Sequence, residues 1–308
     1  MSKSKVLLIL ILIILFPLLS FPQTETQENL IPVDAFFGYD KRILPNAQEK
    51  IKKETENYIQ YYVIYESIND KKVTANLTIP KSGTPPYPVI IYQHGMSESK
   101  DNEQVWFGSE ILVNNGFAVF SIDADYHGER NISGDKDFVV KMIAGGHFYR
   151  MRNMFIQTAV DIRRGIDYLS KNKNIDQEKI GYVGISMGGM IGVMVSAIDE
   201  RIKAPVFIVT AGNFTEIFPF IRMVPNADEV LKIIDPVHYI QRISPRPILM
   251  INGLKDTMML KGAKELFNTA NEPKKIIWVD ASHIGVPLKE ETIKHCIEFL
   301  EKIIKNKK

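Results

Sequence analysis

An apolar, β-branched run from Ile180 to Ile185 stops at Ser186, and a second apolar run begins at Met190 and continues to Ala197. The first has the length and composition of a buried strand, the second those of a buried helix. Between them stands Gly184-x-Ser186-x-Gly188. A strand that becomes a helix within so few residues needs small neighbours two positions either side of the serine, where larger ones would collide. Such a turn lifts the Ser186 hydroxyl clear of the sheet. It also leaves the free N–H groups of a helix N-terminus facing any negative charge that develops nearby. The same pattern fits a glycine-rich turn with serine as a simple helix cap. The rest of the chain must therefore supply a base and an acid.

The flanking sequence repeats the strand-then-helix rhythm. Residues 57–67 and 72–79 alternate apolar and polar around the turn at 68–71, which predicts a hairpin. Short apolar strands follow at 89–93, 117–123, 180–185, 204–210, 247–252 and 275–279. Helical spacing is expected over 103–114, 150–172, 261–269 and 290–304, with Met154, Thr158, Ile162, Ile166 and Leu169 on the inner face of the longest. Residues 132–146 carry no clear pattern. Strands alternating with helices imply crossover connections and a mainly parallel sheet. The expected fold is α/β: a mainly parallel eight-stranded sheet with helices on both faces and an N-terminal antiparallel hairpin. Residues 1–22 form a separate leader and 23–56 a polar lead-in. The main domain spans 57–308, with a helical insertion near 212–240.

Residues 1–5 carry two lysines, and residues 6–19 are almost unbroken apolar sequence. A basic start followed by such a run reads as a secretory signal peptide. It is shorter than the ~20 residues of a membrane-spanning helix, and Pro17 interrupts it; an uncleaved membrane anchor is the alternative. Either way the body of the protein is expected outside the cytoplasm, with membrane contact only through this segment. A net charge of +2, from 38 basic and 36 acidic residues, leaves no footprint for nucleic acid. The single cysteine, Cys296, excludes an internal disulfide. It lies among Ile293, Ile297, Leu300 and Ile304 at helical spacing and reads as a packed helix residue. No Cys/His cluster has metal-ligand spacing, so neither a metal nor a cofactor is expected.

In open parallel sheets, functional groups gather at the carboxyl ends of the strands. Ser186, His94, Asp256 and His283 all directly follow expected strands. A serine hydroxyl is a poor nucleophile unless a base takes its proton, and histidine suits that task. Of the six histidines, His295 lies on the last helix, His238 at a helix start and His147 in the unassigned segment. His94 and His127, each followed by glycine, read as loop-shaping residues. His283, in a Ser-His-Ile-Gly loop after the last strand, is the expected base. Asp256 is the carboxylate expected to hold it, in preference to Asp280, which ends the same strand that His283 follows. The oxyanion of an acyl transfer needs N–H donors; Met187 and Met96 are the two expected. Met258, Met259, Phe218, Phe220 and Met223 are candidates for an apolar acyl pocket.

The residues His94-Gly95, Asp125-Tyr126-His127-Gly128, Gly184-Ile185-Ser186-Met187-Gly188-Gly189, Asn252-Gly253-Leu254-Lys255-Asp256 and Ser282-His283 resemble the α/β-hydrolase superfamily, over nearly all of residues 58–305. Asp235 to Tyr239, followed by Arg246 to Ile251, looks like its esterase and dienelactone-hydrolase-like or prolyl-oligopeptidase-like branches. The resemblance implies a serine hydrolase acting on small-molecule esters or related acyl bonds. Met96 follows His94-Gly95 where the hormone-sensitive lipase branch carries further glycines. Ser186 stands where dienelactone hydrolases proper carry cysteine. The expected function is an exported carboxylic-ester hydrolase with the order Ser186, Asp256, His283. A peptidase of the prolyl-oligopeptidase type is the second reading, ranked below because no large N-terminal domain restricts access. A non-catalytic binding protein on the same fold is the third, and the retention of all three polar residues argues against it.

Overall fold

The eight strands expected from the apolar runs lie side by side in one sheet, and the lead-in adds a ninth. In the computed structural model, which describes residues 32–305, the strands are β1 (Gln48–Glu54), β2 (Tyr58–Glu66), β3 (Lys72–Pro80), β4 (Tyr87–Gln93), β5 (Ala118–Ile122), β6 (Ile175–Ile185), β7 (Ile202–Ile208), β8 (Ile248–Gly253) and β9 (Lys274–Val279). Their order across the sheet is β1-β2-β3-β5-β4-β6-β7-β8-β9. The pairings from β1 to β5 are antiparallel, and those from β5 to β9 are parallel. The expected leader at 1–22, and the start of the lead-in, lie outside the described residues.

The ninth strand corrects the expected count of eight, and it lies within 23–56, the segment expected to be a polar lead-in with some helix. β1 has the sequence Gln-Glu-Lys-Ile-Lys-Lys-Glu and is exposed at every position. With no apolar alternation, nothing in its sequence marks a strand. It is held by backbone pairing to β2, and Lys50 and Lys53 lie over the rings of Tyr62 and Tyr58.

Seven helices matter to the site and its support: α1 (Glu103–Asn114), α2 (Phe138–Ala144), α3 (Phe148–Leu169), α4 (Met187–Ile198), α5 (Phe214–Ile217), α6 (Leu260–Thr269) and α7 (Glu290–Leu300). Alternate residues of a strand face opposite ways. Val183 and Ile185 of β6 share a core cluster with Val105 and Leu112 of α1 and with Cys296 and Leu300 of α7. The Tyr182 ring, on the other face, lies where a side chain at Gly192 of α4 would be. Helices therefore cover both faces. Cys296 is fully buried, and burial pushes its thiol up to about 12. On α3, all five expected inner-face residues are fully buried. The insertion is broken into short turns, with Pro219 and Pro236 each opening one; proline starts a helical turn but cannot continue one.

Because β4 to β9 run parallel, the residues that follow β4, β5, β6, β8 and β9 emerge on one edge of the sheet. That edge receives His94, Asp123, Ser186, Asp256 and His283. The sheet is thus the frame on which distant loops meet.

Candidate active site

Ser186 has φ +52° and ψ −113°, a backbone conformation that side chains other than glycine rarely adopt. The turn that imposes it is tight on both sides. A Cβ at Gly184 would run into the backbone of Gly188, and one at Gly188 into the carbonyls of Gln93 and His94. The two glycines let β6 pass directly into α4 beside β4. Ser186 N–H donates to Ile208 O of β7 at 2.9 Å, and Ser186 O accepts from Met190 N at 3.0 Å. The strained residue is over-determined by its neighbours, which is how such conformations persist.

The Ser186 hydroxyl lies 3.0 Å from His283 Nε2, and His283 Nδ1–H donates to Asp256 Oδ2 at 2.6 Å. Asp256 is almost entirely buried and its second oxygen accepts Met259 N–H at 3.1 Å. The His283 ring keeps about 25% of its surface open to the cleft. The structure therefore brings together the three residues expected from separate strand ends. An imidazole held between a hydroxyl and a buried carboxylate can take the hydroxyl proton and carry the resulting charge. Asp280, the alternative carboxylate, is exposed and pairs with Lys255 at 2.9 Å. His295 faces Glu298 on α7 at 3.6 Å, and His147 is exposed at the start of α3. Neither lines the cleft around Ser186.

His94 and His127 are buried loop-shaping residues, their rings 5.1 Å apart. His94 Nε2 accepts Ala124 N–H at 3.0 Å, so its proton is on Nδ1, which donates to Gly95 O at 2.7 Å. In a trans peptide the carbonyl and the following N–H point opposite ways. Holding Gly95 O inward therefore turns the Met96 N–H outward, and Met96 lines the cleft. Met187 supplies the first N–H of α4, and the first N–H groups of a helix have no partner within it. The loop after β4 is tied to the loop after β5 by Lys100, whose buried Nζ meets Asp123 at 2.8 Å and Glu129 at 2.5 Å.

Burial, reinforced by the neighbouring His127, pushes His94 down to about 3. The unfolded ring titrates near 6.5, so unfolding takes up a proton throughout the window between those values. Stability from this group is complete above about pH 6.5 and is lost as pH falls towards 3. The expected result is a urea-unfolding free energy that declines with acidification more steeply in the wild type than in His94→Gln, whose amide oxygen can still accept from Ala124. The slopes should differ by up to about 1.4 kcal/mol per pH unit. Parallel slopes would show that His94 does not carry this term.

The cleft at Ser186 has a volume of about 420 Å³. Of the five residues proposed for an acyl pocket, Phe218, Met258 and Met259 line it. Phe220 and Met223 do not: Phe220 packs against Phe148 and Phe218, and Met223 is exposed. Val140 of α2, Ile185 and Ile284 complete the apolar wall, with Glu98 and Gln104 as further polar members. Val140 was hidden because residues 132–146 lack a legible pattern. Glu98 had one available signal, a carboxylate three residues past Gly95 in the loop that follows β4.

The acetyl xylan esterase family model matches residues 41–287, most of the chain. This chain belongs to the acetyl xylan esterase family. It is thereby a member of the α/β-hydrolase superfamily. Acetyl xylan esterase 1 from Thermoanaerobacterium sp. JW/SL YS485 has a similar structure, with TM-score 0.72 and 17% identity over 89% of this chain and 95% of that one. The acetyl xylan esterase from Paenibacillus sp. R4 is similar at TM-score 0.68 and 19% identity, over 86% and 91% of the two chains. At such identities the likeness to these two acetyl xylan esterases is one of fold. YtaP of Bacillus subtilis (strain 168) is 23% identical over 175 residues, 53% of this chain and 56% of YtaP. The chain spans about half the length of the curated relatives it matches.

Proposed function

We propose that this member of the acetyl xylan esterase family is an exported serine hydrolase that cleaves carboxylic esters through an acyl-enzyme. The observation that carries the reading is His283, within hydrogen-bond reach of both Ser186 Oγ and Asp256. Ser186 Oγ attacks the ester carbonyl while His283 Nε2 takes its proton. Asp256 keeps the remaining ring proton on Nδ1 and stabilises the imidazolium. The tetrahedral oxyanion receives the N–H groups of Met96 and Met187. As it collapses, the C–O bond to the alcohol breaks and Nε2 returns its proton to the leaving oxygen. Water then enters by the same route, frees the acid and restores Ser186.

The family description makes acetyl esters the first substrates to test. A cleft of about 420 Å³ with walls of Phe218, Met258, Met259 and Ile284 favours a longer acyl chain. Each methylene buried is worth about 0.8 kcal/mol, roughly fourfold in kcat/KM. The test is labelling with a fluorophosphonate probe, followed by turnover of p-nitrophenyl esters from acetate to octanoate. Labelling is expected in the wild type and absent in His283→Ala, with kcat/KM climbing over the first methylenes. A folded wild type that resists the probe would turn the reading to a non-catalytic one. Indifference to chain length would remove the acyl pocket. Export rests on the basic start and the apolar run of residues 6–19. Recovery of the protein solely from the cytosolic fraction of its host would overturn it.

A further inference from the structure

The turn Gly95-Met96-Ser97 is held from two sides. On the inner side, His94 fixes the Gly95 carbonyl. On the outer side, Glu98 reaches back over the turn, and its Oε2 accepts the Gly95 N–H at 2.8 Å. Both peptide groups that flank Gly95 are therefore clamped, and the second of them carries the Met96 N–H. Ser97, next along the turn, has φ +62°. A serine so placed has a conformational reason to relax once a clamp is released.

Glu98 also stands at a junction. Its side chain lines the catalytic cleft and a second, polar cavity of about 400 Å³ bounded by Ser97, Asn102, Tyr126 and His127. Asn102 caps α1, accepting from Gln104 and Val105, and its amide lies against the Glu98 carboxylate. The carboxylate thus links a rigid helix start to the turn. A negative charge in the cleft opposes the oxyanion that forms there and favours the His283 imidazolium that forms with it, so its charge acts in both senses. Its acceptor oxygen acts in one, on the Gly95 N–H.

We infer that Glu98 is a positioning residue for acyl transfer: by accepting the Gly95 N–H it holds the next peptide so that the Met96 N–H meets the oxyanion. This rests on the reading of Met96 as an oxyanion donor. The hydrogen bond carries the role, and the charge is incidental.

The test measures kcat and KM with p-nitrophenyl acetate. It adds inhibition by phenylboronic acid, whose tetrahedral adduct on Ser186 presents an oxygen to the same donors, and thermal unfolding. Glu98→Ala should lower kcat about ten- to hundredfold, part of the loss seen when a whole oxyanion donor is removed. KM should stay within about threefold, and boronate inhibition should weaken by a factor similar to that in kcat. Glu98→Gln, whose amide oxygen still accepts from Gly95, should remain within about threefold of wild type on every measure. Wild-type kcat in Glu98→Ala, or a Glu98→Gln as impaired as Glu98→Ala, would overturn the assignment. If the alanine variant does not fold, Glu98→Asp, whose carboxylate falls a methylene short of Gly95, takes its place: the same loss of kcat is expected, and wild-type kcat would overturn the assignment. Ser186→Ala assayed alongside separates the two levels. If it is inactive while Glu98→Ala is normal, only the Glu98 role fails. If it still turns over substrate, the serine mechanism beneath it fails.

Discussion

Ser186→Ala is expected to lower ester turnover by at least about 10⁴-fold while leaving the fold intact. Removing the nucleophile of a serine hydrolase leaves only what binding and the oxyanion donors supply. No contact that holds the turn depends on the hydroxyl, since Ser186 uses its backbone N–H and C=O to join β7 and α4. A companion variant reads the strain at the same position. Ser186→Gly should be equally inactive yet unfold at a higher temperature than Ser186→Ala, because glycine adopts φ +52° freely. A residue held in such a conformation costs about 1–3 kcal/mol, which sets the upper size of the gain. Circular dichroism melting of the three proteins gives the comparison, and the assay is p-nitrophenyl ester hydrolysis. Appreciable turnover in Ser186→Ala would end the serine mechanism. A glycine variant no more stable than alanine would show the turn to be unstrained.

Asp256→Asn should reduce kcat by about 10⁴-fold, the loss found when a triad carboxylate becomes an amide. The reason lies in the two bonds that Asp256 makes. One oxygen accepts Met259 N–H at 3.1 Å and the other accepts His283 Nδ1–H at 2.6 Å. An asparagine that keeps its oxygen on Met259 presents its NH₂ to Nδ1. The ring must then offer a lone pair there and carry its proton on Nε2, facing Ser186 Oγ. In that tautomer His283 cannot accept the serine proton. The substitution preserves size and the Met259 bond, so thermal stability should change little. Activity within tenfold of wild type would show that the carboxylate does not set the tautomer.

The parts of this protein that sequence makes legible are those where one residue type satisfies a local rule. The apolar runs ending at Gln93, Ile185 and Gly253 are strands because a strand buried on both faces tolerates little else. Ser186 is legible because its glycine neighbours are sterically required. His283 and Asp256 could be chosen from rival histidines and aspartates because they follow two different strands that both come after Ser186 in the chain, the order the resemblance implies. The remaining features obey no local rule. β1 is a strand only because the backbone edge of β2 was free to accept it. Val140 reaches the cleft from a segment whose fold is set by what it packs on. Glu98 acts through a bond to the backbone of Gly95, and such bonds leave no trace in composition.

The two outermost strands have a consequence for how the protein meets other molecules. Among the described residues the sheet ends on one side at β1, with Lys50, Lys52 and Lys53 in its seven residues, and on the other at β9, which opens with Lys274 and Lys275. An outer strand presents unpaired backbone groups that could recruit a strand from another chain, and lysine there makes the approach unfavourable. The tyrosine-rich β2, with Tyr58, Tyr61, Tyr62 and Tyr65 in nine residues, would be a far more adhesive border. By covering it with a hydrophilic ribbon, the chain keeps a large apolar sheet from growing beyond its own molecule.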